Sequence, residues 1–387
     1  MPAMESIEQV TTAAGFIRRP SPRPIIGALA LLTLIGILVA GLWPFHAPKN
    51  QVQWLTNENG LVFGHHGTVL GRGIFDGIGS DGQSCSLEIW LEPARLWTTG
   101  TVIAFYDPAT SRQTSLQQIY TDLLLQRDFE VRRDQEVTSG FAVANVFRKK
   151  EALVTVTSNG QDTDVYINGR LVTRSQGFGF TLNDLTGQLI VADSPLKSHS
   201  WEGKVRGLAI YDRGLTAAQV SQHYEDWHQA EGSPKVLADE HALALYRFDE
   251  RTGSVIHNQG SGGVDLYIPE RYLVVNQIRF ESAQDEYRTQ RSYLKNAFLN
   301  IAAFIPLGFF VYAYLRLGPG VSGAAFITVA LGLSVSLTIE ILQAYLPTRY
   351  SGVTDLITNT LGTAIGVLLF SAVASPVMQR VERGSSW

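Results

Sequence analysis

The chain has 387 residues, a formal net charge of −4 and a single cysteine, Cys85. The weak negative charge gives no basic field to attract a nucleic acid, so we expect no nucleic-acid partner. One cysteine excludes an intrachain disulfide and a cysteine-cluster metal site, and we expect Cys85 to lie buried in a strand.

The first apolar segment, Ile25–Leu42, follows three arginines within residues 18–23. It is longer than the apolar core of a signal peptide, which is usually about 7–15 residues, and it has no cleavage signature. Trp43 and Phe45 suit the aromatic belt of a membrane interface. We therefore interpret residues 1–24 as a cytoplasmic N-terminus and residues 25–43 as an uncleaved transmembrane helix.

The sequence pattern in the middle of the chain, residues 50–229, predicts β structure. Apolar and polar residues alternate in five segments: 87–91, 153–157, 163–167, 189–191 and 205–211. The dipeptide Asn168-Gly169 is a strong hairpin signal, and the short spacing of turn clusters favours a sandwich or jelly roll. A helix is predicted over Thr216–Trp227, capped by Thr216 with Gln219 three residues later.

Three of these segments, Ser86–Pro93, Asp164–Val172 and Trp201–Thr216, resemble the concanavalin A-like, laminin-G-type jelly roll in the family's order. The resemblance covers about Gly60 to Trp227 and implies an all-β sandwich. Such domains often bind sugars or envelope polymers, but many are spacers, so both roles stay open. Residues 230–295 are predicted to be a connection with a small β extension, in which Leu245–Gly253 resembles the opening strand of another jelly roll.

Glu88, Trp90 and Glu92 share one face of a predicted strand. Their spacing resembles the paired carboxylates of jelly-roll glycosidases, but Trp90 replaces the intervening acid. Two carboxylates alone are common on strand surfaces, so the pattern does not favour glycosidase activity. The pair His65-His66 has no further ligand at metal spacing. We therefore expect no metal and no cofactor.

Three later apolar segments, Ala297–Leu315, Val321–Leu342 and Leu356–Val373, are long enough to cross a bilayer. The flanking basic residues fall on one side of the membrane if there are four spans: Arg18, Arg19, Arg23, Arg316, Arg380 and Arg383. That side should be cytoplasmic. Both termini, including the tail 374–387, are then inside, and the middle region is extracytoplasmic.

Polar side chains mark the outer ends of these three spans and the loop between the last two. The seven candidate ligand-binding residues are Asn296, Asn300, Glu340, Gln343, Arg349, Asp355 and Asn359. Residues three or four apart share a helix face, so the spans present these groups at similar depth. Polar groups of this kind are functional-site candidates, although hydrogen bonds between helices also explain them. Gly362 and Gly366 form a close-packing signal that needs no chemistry.

The same residues resemble a VanZ-like domain. Its motifs are similar to Asn296–Phe309, Glu340–Gln343, Arg349 and Asp355–Gly362, and the end of its first helix is similar to Trp43–Phe45. The resemblance implies that residues 296–373 form transmembrane helices 2–4, with the β domain inserted between spans one and two. The family is named for a glycopeptide (teicoplanin) resistance trait at the cell surface.

Together these patterns predict a multidomain fold, an all-β jelly-roll sandwich inserted into a four-helix transmembrane α bundle. We expect a non-catalytic protein of the cell envelope, located in the cytoplasmic membrane. Its jelly roll would bind or space a surface glycan, and its polar cluster would contact membrane lipid or a lipid-linked envelope precursor. The alternative is a membrane enzyme acting on such a precursor, with Glu340 or Asp355 as acid or base and Arg349 contacting phosphate.

Overall fold

A computed structural model of the chain describes residues 22–76, 83–132, 135–148, 151–196, 200–229, 242–275, 280, 283, 293–318, 321–349 and 351–384. Most of the predicted N-terminal segment and residues 230–241 of the predicted connection lie outside these residues. The chain divides into two compact units. The helical unit contains the residues up to 42, residues 291–340 and those from 354 onward, and the β unit contains residues 43–290 and 341–353.

The β unit contains two eight-stranded sheets, and every pairing described between strands is antiparallel. The strands of the first sheet are β1 Val52–Trp54, β2 Leu61–Phe63, β4 Cys85–Pro93, β9 Ala152–Ser158, β10 Thr163–Ile167, β11 Arg170–Ser175, β13 Gly203–Tyr211 and β14 Ala244–Tyr246. Their order is β1-β2-β13-β4-β9-β10-β11, and β14 pairs with β13.

The second sheet has the order β15-β16-β3-β12-β5-β6-β7-β8. Its strands are β3 Val69–Phe75, β5 Thr99–Asp107, β6 Arg112–Ile119, β7 Asp122–Arg132, β8 Gln135–Val143, β12 Gly187–Val191, β15 Val255–Ile256 and β16 Leu266–Tyr267. The segment predicted as a connection thus supplies three strands, β14 to β16, to the two sheets. The result is the predicted jelly-roll-like sandwich.

Alternation of apolar residues builds the core between the sheets, because successive strand residues face opposite sides. Ile89, Val154 and Val205 lie in this core, together with Cys85, which is fully buried as expected. Burial raises the pKa of the Cys85 thiol. The hairpin between β10 and β11 turns at Asn168 and Gly169, whose φ values of 51° and 75° lie in the left-handed region that this turn requires.

Helix α2, Ala217–Gln229, covers the outer face of the first sheet. It begins with the predicted capping box. The backbone N–H of Gln219 donates to Thr216 Oγ1, and Gln219 Oε1 accepts from the backbone N–H of Thr216. Trp227 lies directly over Gly207 of β13, where an added Cβ would meet the indole ring at 2.3 Å. Because Gly207 has no side chain, the indole ring of Trp227 can pack directly against the sheet.

The helical unit contains four helices that are long and apolar enough to cross a membrane. They are α1 Arg23–Leu42, α3 Tyr293–Arg316, α4 Ala324–Gln343, whose last three residues fall in the β unit, and α5 Val353–Gly384. The apolar span of α5 covers Val353–Ala374. The four predicted spans therefore correspond to four helices, with boundaries that differ by a few residues.

Close contacts between α3 and α5 depend on small residues. A Cβ at Gly362 would lie 2.3 Å from the carbonyl oxygen of Ile301, and one at Gly366 would lie 2.2 Å from that of Ile305. Only hydrogen fits at these two positions, so the two backbones can approach as the spacing of the glycines predicts.

Candidate functional site

The first candidate site lies at one end of the helical unit. Asn300, in the second turn of α3, donates from Nδ2 to Asp355 Oδ1 at 2.7 Å. Asp355 is in the first turn of α5. The side chains of two predicted site residues, 55 positions apart in sequence, therefore meet. Asn296 lies one turn before Asn300 on α3.

A second polar contact joins α4 to α5 at the same end of these helices. Asn359 donates from Nδ2 to Ser336 Oγ at 2.9 Å, and Asn359 is 5% exposed. Its Oδ1 atom is buried and has no hydrogen-bond partner among the described residues. Glu340, one turn beyond Ser336, is only 1% exposed. A carboxyl group and an amide oxygen are thus buried among apolar helices, where polar groups are costly.

Gln343 and Arg349 belong to the β unit. Gln343 is the last residue of α4 and is buried. Arg349 donates from Nε to the backbone carbonyl of Trp43 at 3.1 Å, and its Nη2 donates to the same oxygen. The guanidinium thereby joins the segment after α4 to the segment after α1.

In the β unit, Glu88 is the centre of a fully buried cluster between the first sheet and α2. The sequence suggested a carboxylate on a strand surface, but α2 covers it. Its oxygens accept from Thr155 Oγ1 at 3.1 Å and from Tyr211 OH and Trp227 Nε1 at 3.2 Å each. His223 Nδ1 lies 3.2 Å from both oxygens. Glu88 is therefore a structural acceptor and has no access to a substrate.

Glu92 lies four residues along the same strand and forms ion pairs with Lys204 at 3.1 Å and Arg206 at 3.3 Å. Partial burial alone would raise the pKa of Glu92, but the two cations outweigh it and lower that pKa. Glu88 and Glu92 thus have separate partners, which does not suit a carboxylate pair acting on one glycosidic bond.

Beside Glu92 the outer face of the first sheet forms a cleft of about 580 Å³, here named the Trp90 cleft. Ten residues line it: Asn57, Glu58, Asn59, Trp90, Arg206, Trp227, His228, Arg247, Asp249 and Arg251. They come from the β1–β2 turn, from β4 and β13, from the end of α2 and from the segment after β14.

The Trp90 ring is held among polar groups. Trp90 Nε1 donates to Glu151 Oε1 at 2.7 Å, the Arg206 guanidinium lies 5.6 Å from the ring centroid, and the His228 ring lies 4.9 Å from it. Arg206 is fixed in turn by Glu58, whose Oε2 accepts from Nη2 at 3.0 Å. These contacts fix the side chains of the cleft before any ligand binds.

Two more arginines lie on the other wall of the cleft. Arg247 is 3.3 Å from Asp249, and Arg251 donates from Nη2 to Asn59 Oδ1 at 3.2 Å. The lining has three arginines and two carboxylates, and Glu92 and Glu151 lie beside Arg206 just outside it. Such a surface suits a polar ligand with acidic groups, because arginine pairs well with carboxylate and phosphate.

Sequence reasoning did not identify the Trp90 cleft. The sequence signal for the cleft was the segment Leu245–Arg251, in which apolar residues alternate with charged ones. Tyr246 and Phe248 are buried in the core, and Arg247, Asp249 and Arg251 face the cleft. The alternation was visible, but the partner surface on β4, β13 and α2 is not local in sequence.

No group of three or more His, Cys, Asp or Glu residues that could hold a metal ion occurs in the part of the chain that the structure describes. His65 lies 3.3 Å from Glu202, with which Arg95 also pairs at 3.6 Å.

Two family models match the chain. VanZ/LLP1 matches residues 246–374, and the concanavalin A-like lectin/glucanases superfamily, through its laminin-G-type model, matches residues 75–221. The first match begins at the last residue of β14 and includes β15, β16, α3, α4 and the apolar span of α5. No curated protein matches the chain.

Several solved structures match the chain at low similarity. The receptor binding domain of botulinum neurotoxin C/D mosaic serotype is 13% identical over 46% of this chain and 45% of its own, with a TM-score of 0.32. A SAP-like pentraxin from Limulus polyphemus is 12% identical over 59% and 98%, with a TM-score of 0.32. The Ruminococcus gnavus IT-sialidase CBM40 bound to alpha2,3 sialyllactose is 10% identical over 43% and 97%, with a TM-score of 0.33.

The chain spans less than half of the botulinum neurotoxin domain that it matches. Its two family matches agree with the motifs in the sequence and with the two kinds of structure observed. The chain therefore combines a jelly-roll sandwich, in which residues 75–221 match the concanavalin A-like model, with residues 246–374 that match VanZ/LLP1 and with four helices able to cross a membrane.

Proposed function

We propose that this chain is a non-catalytic membrane protein of the cell envelope whose jelly roll lies outside the cytoplasm and binds an acidic surface glycan. The observation that carries the proposal is the Trp90 cleft. It combines indole rings with three arginines and two asparagines in a concave site of ligand size.

The chemistry of the cleft suits a charged sugar polymer. The amphipathic indole ring of Trp90 provides apolar contact beside a polar edge, and the nearly buried ring of Trp227 completes the apolar part of the lining. The guanidinium groups of Arg247 and Arg251 can pair with carboxylate or phosphate groups on the chain. Because Arg206 is already held by Glu58 and Glu92, little side-chain freedom is lost at this position on binding.

The distribution of basic residues supports the outward orientation. The Arg23 guanidinium lies 4.7 Å from the ring centroid of Tyr314, close to the end of α3 at Arg316. Two basic residues of the helical unit thus lie at one end, opposite to the Asn300–Asp355 pair. With the basic end in the cytoplasm, the polar cluster belongs to the outer end and the β unit to the extracytoplasmic side.

The polar cluster then lies where lipid headgroups or a lipid-linked envelope precursor could reach it. The group supporting this role is Asn359, whose buried Oδ1 has no partner among the described residues. A headgroup donor that entered between α4 and α5 would satisfy this atom. A link to glycopeptide (teicoplanin) resistance is part of the same proposal and depends on the VanZ resemblance.

A glycan array with the full chain in lipid nanodiscs tests the binding role. We expect acidic envelope glycans to be enriched over empty nanodiscs. Arg247→Ala should weaken binding about tenfold, the value of one charge-assisted pair. Arg174→Ala is the matched control, because Arg174 forms an exposed ion pair with Asp164 outside the cleft. Equal binding by both variants, or no enrichment at all, would contradict the proposal.

The second candidate is an enzyme acting on a lipid-linked envelope precursor. The observation in its favour is the buried Glu340 carboxyl in the same helical unit as Asp355. Glu340→Gln keeps the shape and removes the charge. An unchanged envelope or resistance phenotype at equal expression would exclude Glu340 as acid or base.

A further inference from the structure

An exposed aromatic pair lies at one end of the β unit, away from the Trp90 cleft. Trp97, in the loop between β4 and β5, is 80% exposed, and Tyr120, in the turn between β6 and β7, is 47% exposed. Their ring centroids are 6.1 Å apart. The Tyr120 amide donates to the Thr98 carbonyl at 2.9 Å, so the two loops form one fixed surface.

The chain enters the first strand of the sandwich and leaves its last strand at this same end. Lys49 pairs with Arg271 in an antiparallel bridge, just before β1 and just after β16. Strand register shows the shared end. Val52 of β1 pairs with Phe63, and Phe63 pairs with Gly203.

The same register continues to the loop of Trp97. Gly203 also pairs with Pro93, the last residue of β4. In the second sheet Thr99 pairs with Ile119, next to Tyr120. Strands β3, β12, β5 and β6 are consecutive neighbours, so β6 lies three strand spacings, about 15 Å, from β3.

The connection to the membrane-capable helix is short. Lys49 is seven residues after Leu42, the end of α1, and seven residues extend at most about 25 Å. An end of the β unit that is tied this closely to a bilayer-spanning helix stays near the lipid surface. Exposed Trp and Tyr side chains are the types that prefer the headgroup region, because each combines an apolar ring with a polar group.

The charged side chains at this end of the β unit pair with one another and do not form a binding surface of their own. Arg95 is largely exposed but lies 3.6 Å from Glu202, and His65 also pairs with Glu202. Acidic and basic groups are mixed here. The described residues at this end therefore form no basic patch that would attract a polyanion. The apolar area of Trp97 and Tyr120 is what a partner would cover.

We propose that Trp97 and Tyr120 insert into the headgroup region of the bilayer that anchors the chain, and that they hold this end of the jelly roll against the lipid. The partner is the lipid surface and not a glycan or a protein. The proposal depends on the four helices spanning the membrane, and it is independent of the ligand of the Trp90 cleft.

The test uses the full chain in nanodiscs of phosphatidylcholine and phosphatidylglycerol. Ala94→Cys and Ala109→Cys are matched sites, since both alanines are exposed and lie at opposite ends of the sandwich. Strand β5 separates them by nine residues, or about 30 Å. Cys85 is fully buried and should not react with a fluorescent maleimide.

Lipids with a nitroxide on the headgroup quench the attached dye at short range. We expect quenching at position 94 to be several-fold stronger than at position 109, and Trp97→Ala with Tyr120→Ala to reduce it toward the level of position 109. Both rings are exposed, so their loss should leave the fold intact, which thermal unfolding checks.

Equal quenching at the two sites would overturn the proposal. Quenching at position 94 that is the same in the parent and in the double variant would overturn it too. Loss of glycan binding in the double variant, with no lipid quenching in the parent, would assign the rings to a glycan and would also overturn it.

Discussion

His223 Nδ1 lies 3.2 Å from both carboxyl oxygens of Glu88, and neither side chain is exposed to solvent. This pair attaches α2 to the first sheet, and α2 in turn supplies Trp227 and His228 to the Trp90 cleft. Glu88, one of the two carboxylates that resembled those of a glycosidase, thus holds the helix that lines one side of the Trp90 cleft.

Removing Glu88 should therefore destabilise the β unit strongly. Glu88→Ala leaves His223, Tyr211 and Trp227 without their acceptor in a buried site, which costs about 3–5 kcal/mol. The measurement is urea unfolding followed by tryptophan fluorescence. Glu92→Ala is the control, because its partly exposed ion pairs are worth about 0.2–1 kcal/mol. Similar losses in the two variants would show that the buried cluster has no special role.

The pH dependence of the β unit should depend on Asp193. Burial raises the pKa of Asp193 to about 7, although Tyr272 OH donates to it at 2.8 Å. Between its ordinary pKa of 3.8 and about 7 the folded state binds more protons than the unfolded state. This group's stabilising contribution is therefore complete below the ordinary pKa and is lost as the pH rises through about 7.

Asp193→Asn should flatten the decrease in melting temperature across that pH range, because the amide does not titrate. Asp107→Asn is a control of opposite sign. Hydrogen bonds from Thr110 and the Ala109 amide lower the pKa of Asp107, so its contribution is lost as the pH falls. An unchanged slope in Asp193→Asn would contradict the assignment.

Close packing of α3 on α5 should not tolerate a side chain at Gly366. Gly366→Leu would force the leucine against the Ile305 carbonyl, and overpacking of this kind costs about 1–3 kcal/mol or more. Thermal unfolding in detergent measures the loss. Gly36→Leu on α1 is the matched control, since nothing lies within 4 Å of an added Cβ there. Equal melting temperatures would mean that the two helices do not pack as described.

The hydrogen bond between Asn300 and Asp355 should appear as an energetic coupling. A double-mutant cycle with Asn300→Ala and Asp355→Ala should give a coupling of about 0.6–1.7 kcal/mol, the range found between membrane helices. Unfolding in detergent supplies the free energies. Additive effects would mean that the two side chains do not interact in the folded protein.

Much of the fold was predictable because its signals are local. Alternation predicted β4, β9, β10 and β13, the dipeptide Asn168-Gly169 predicted a hairpin, and apolar length predicted four helices. The meeting of Asn300 with Asp355 was also predictable, because span direction and helical period together determine which ends meet.

What could not be predicted depends on contacts between distant segments. Nothing near Glu88 in sequence shows that α2, more than 120 residues later, covers it. Likewise Arg247 and Arg251 reach the cleft only because β14 pairs with β13, although 32 residues lie between the two strands. Local patterns predict elements, but such pairings depend on the complete packed core.

Labelling of engineered cysteines in intact cells tests the proposed topology most directly. A membrane-impermeant maleimide should react with Ala109→Cys in intact cells, and with Ser386→Cys in the C-terminal tail only after permeabilisation. Cys85 should stay unreactive because it is fully buried. Reaction of the tail in intact cells, with protection of position 109 until the cells are opened, would contradict an extracytoplasmic jelly roll and an outward-facing polar cluster.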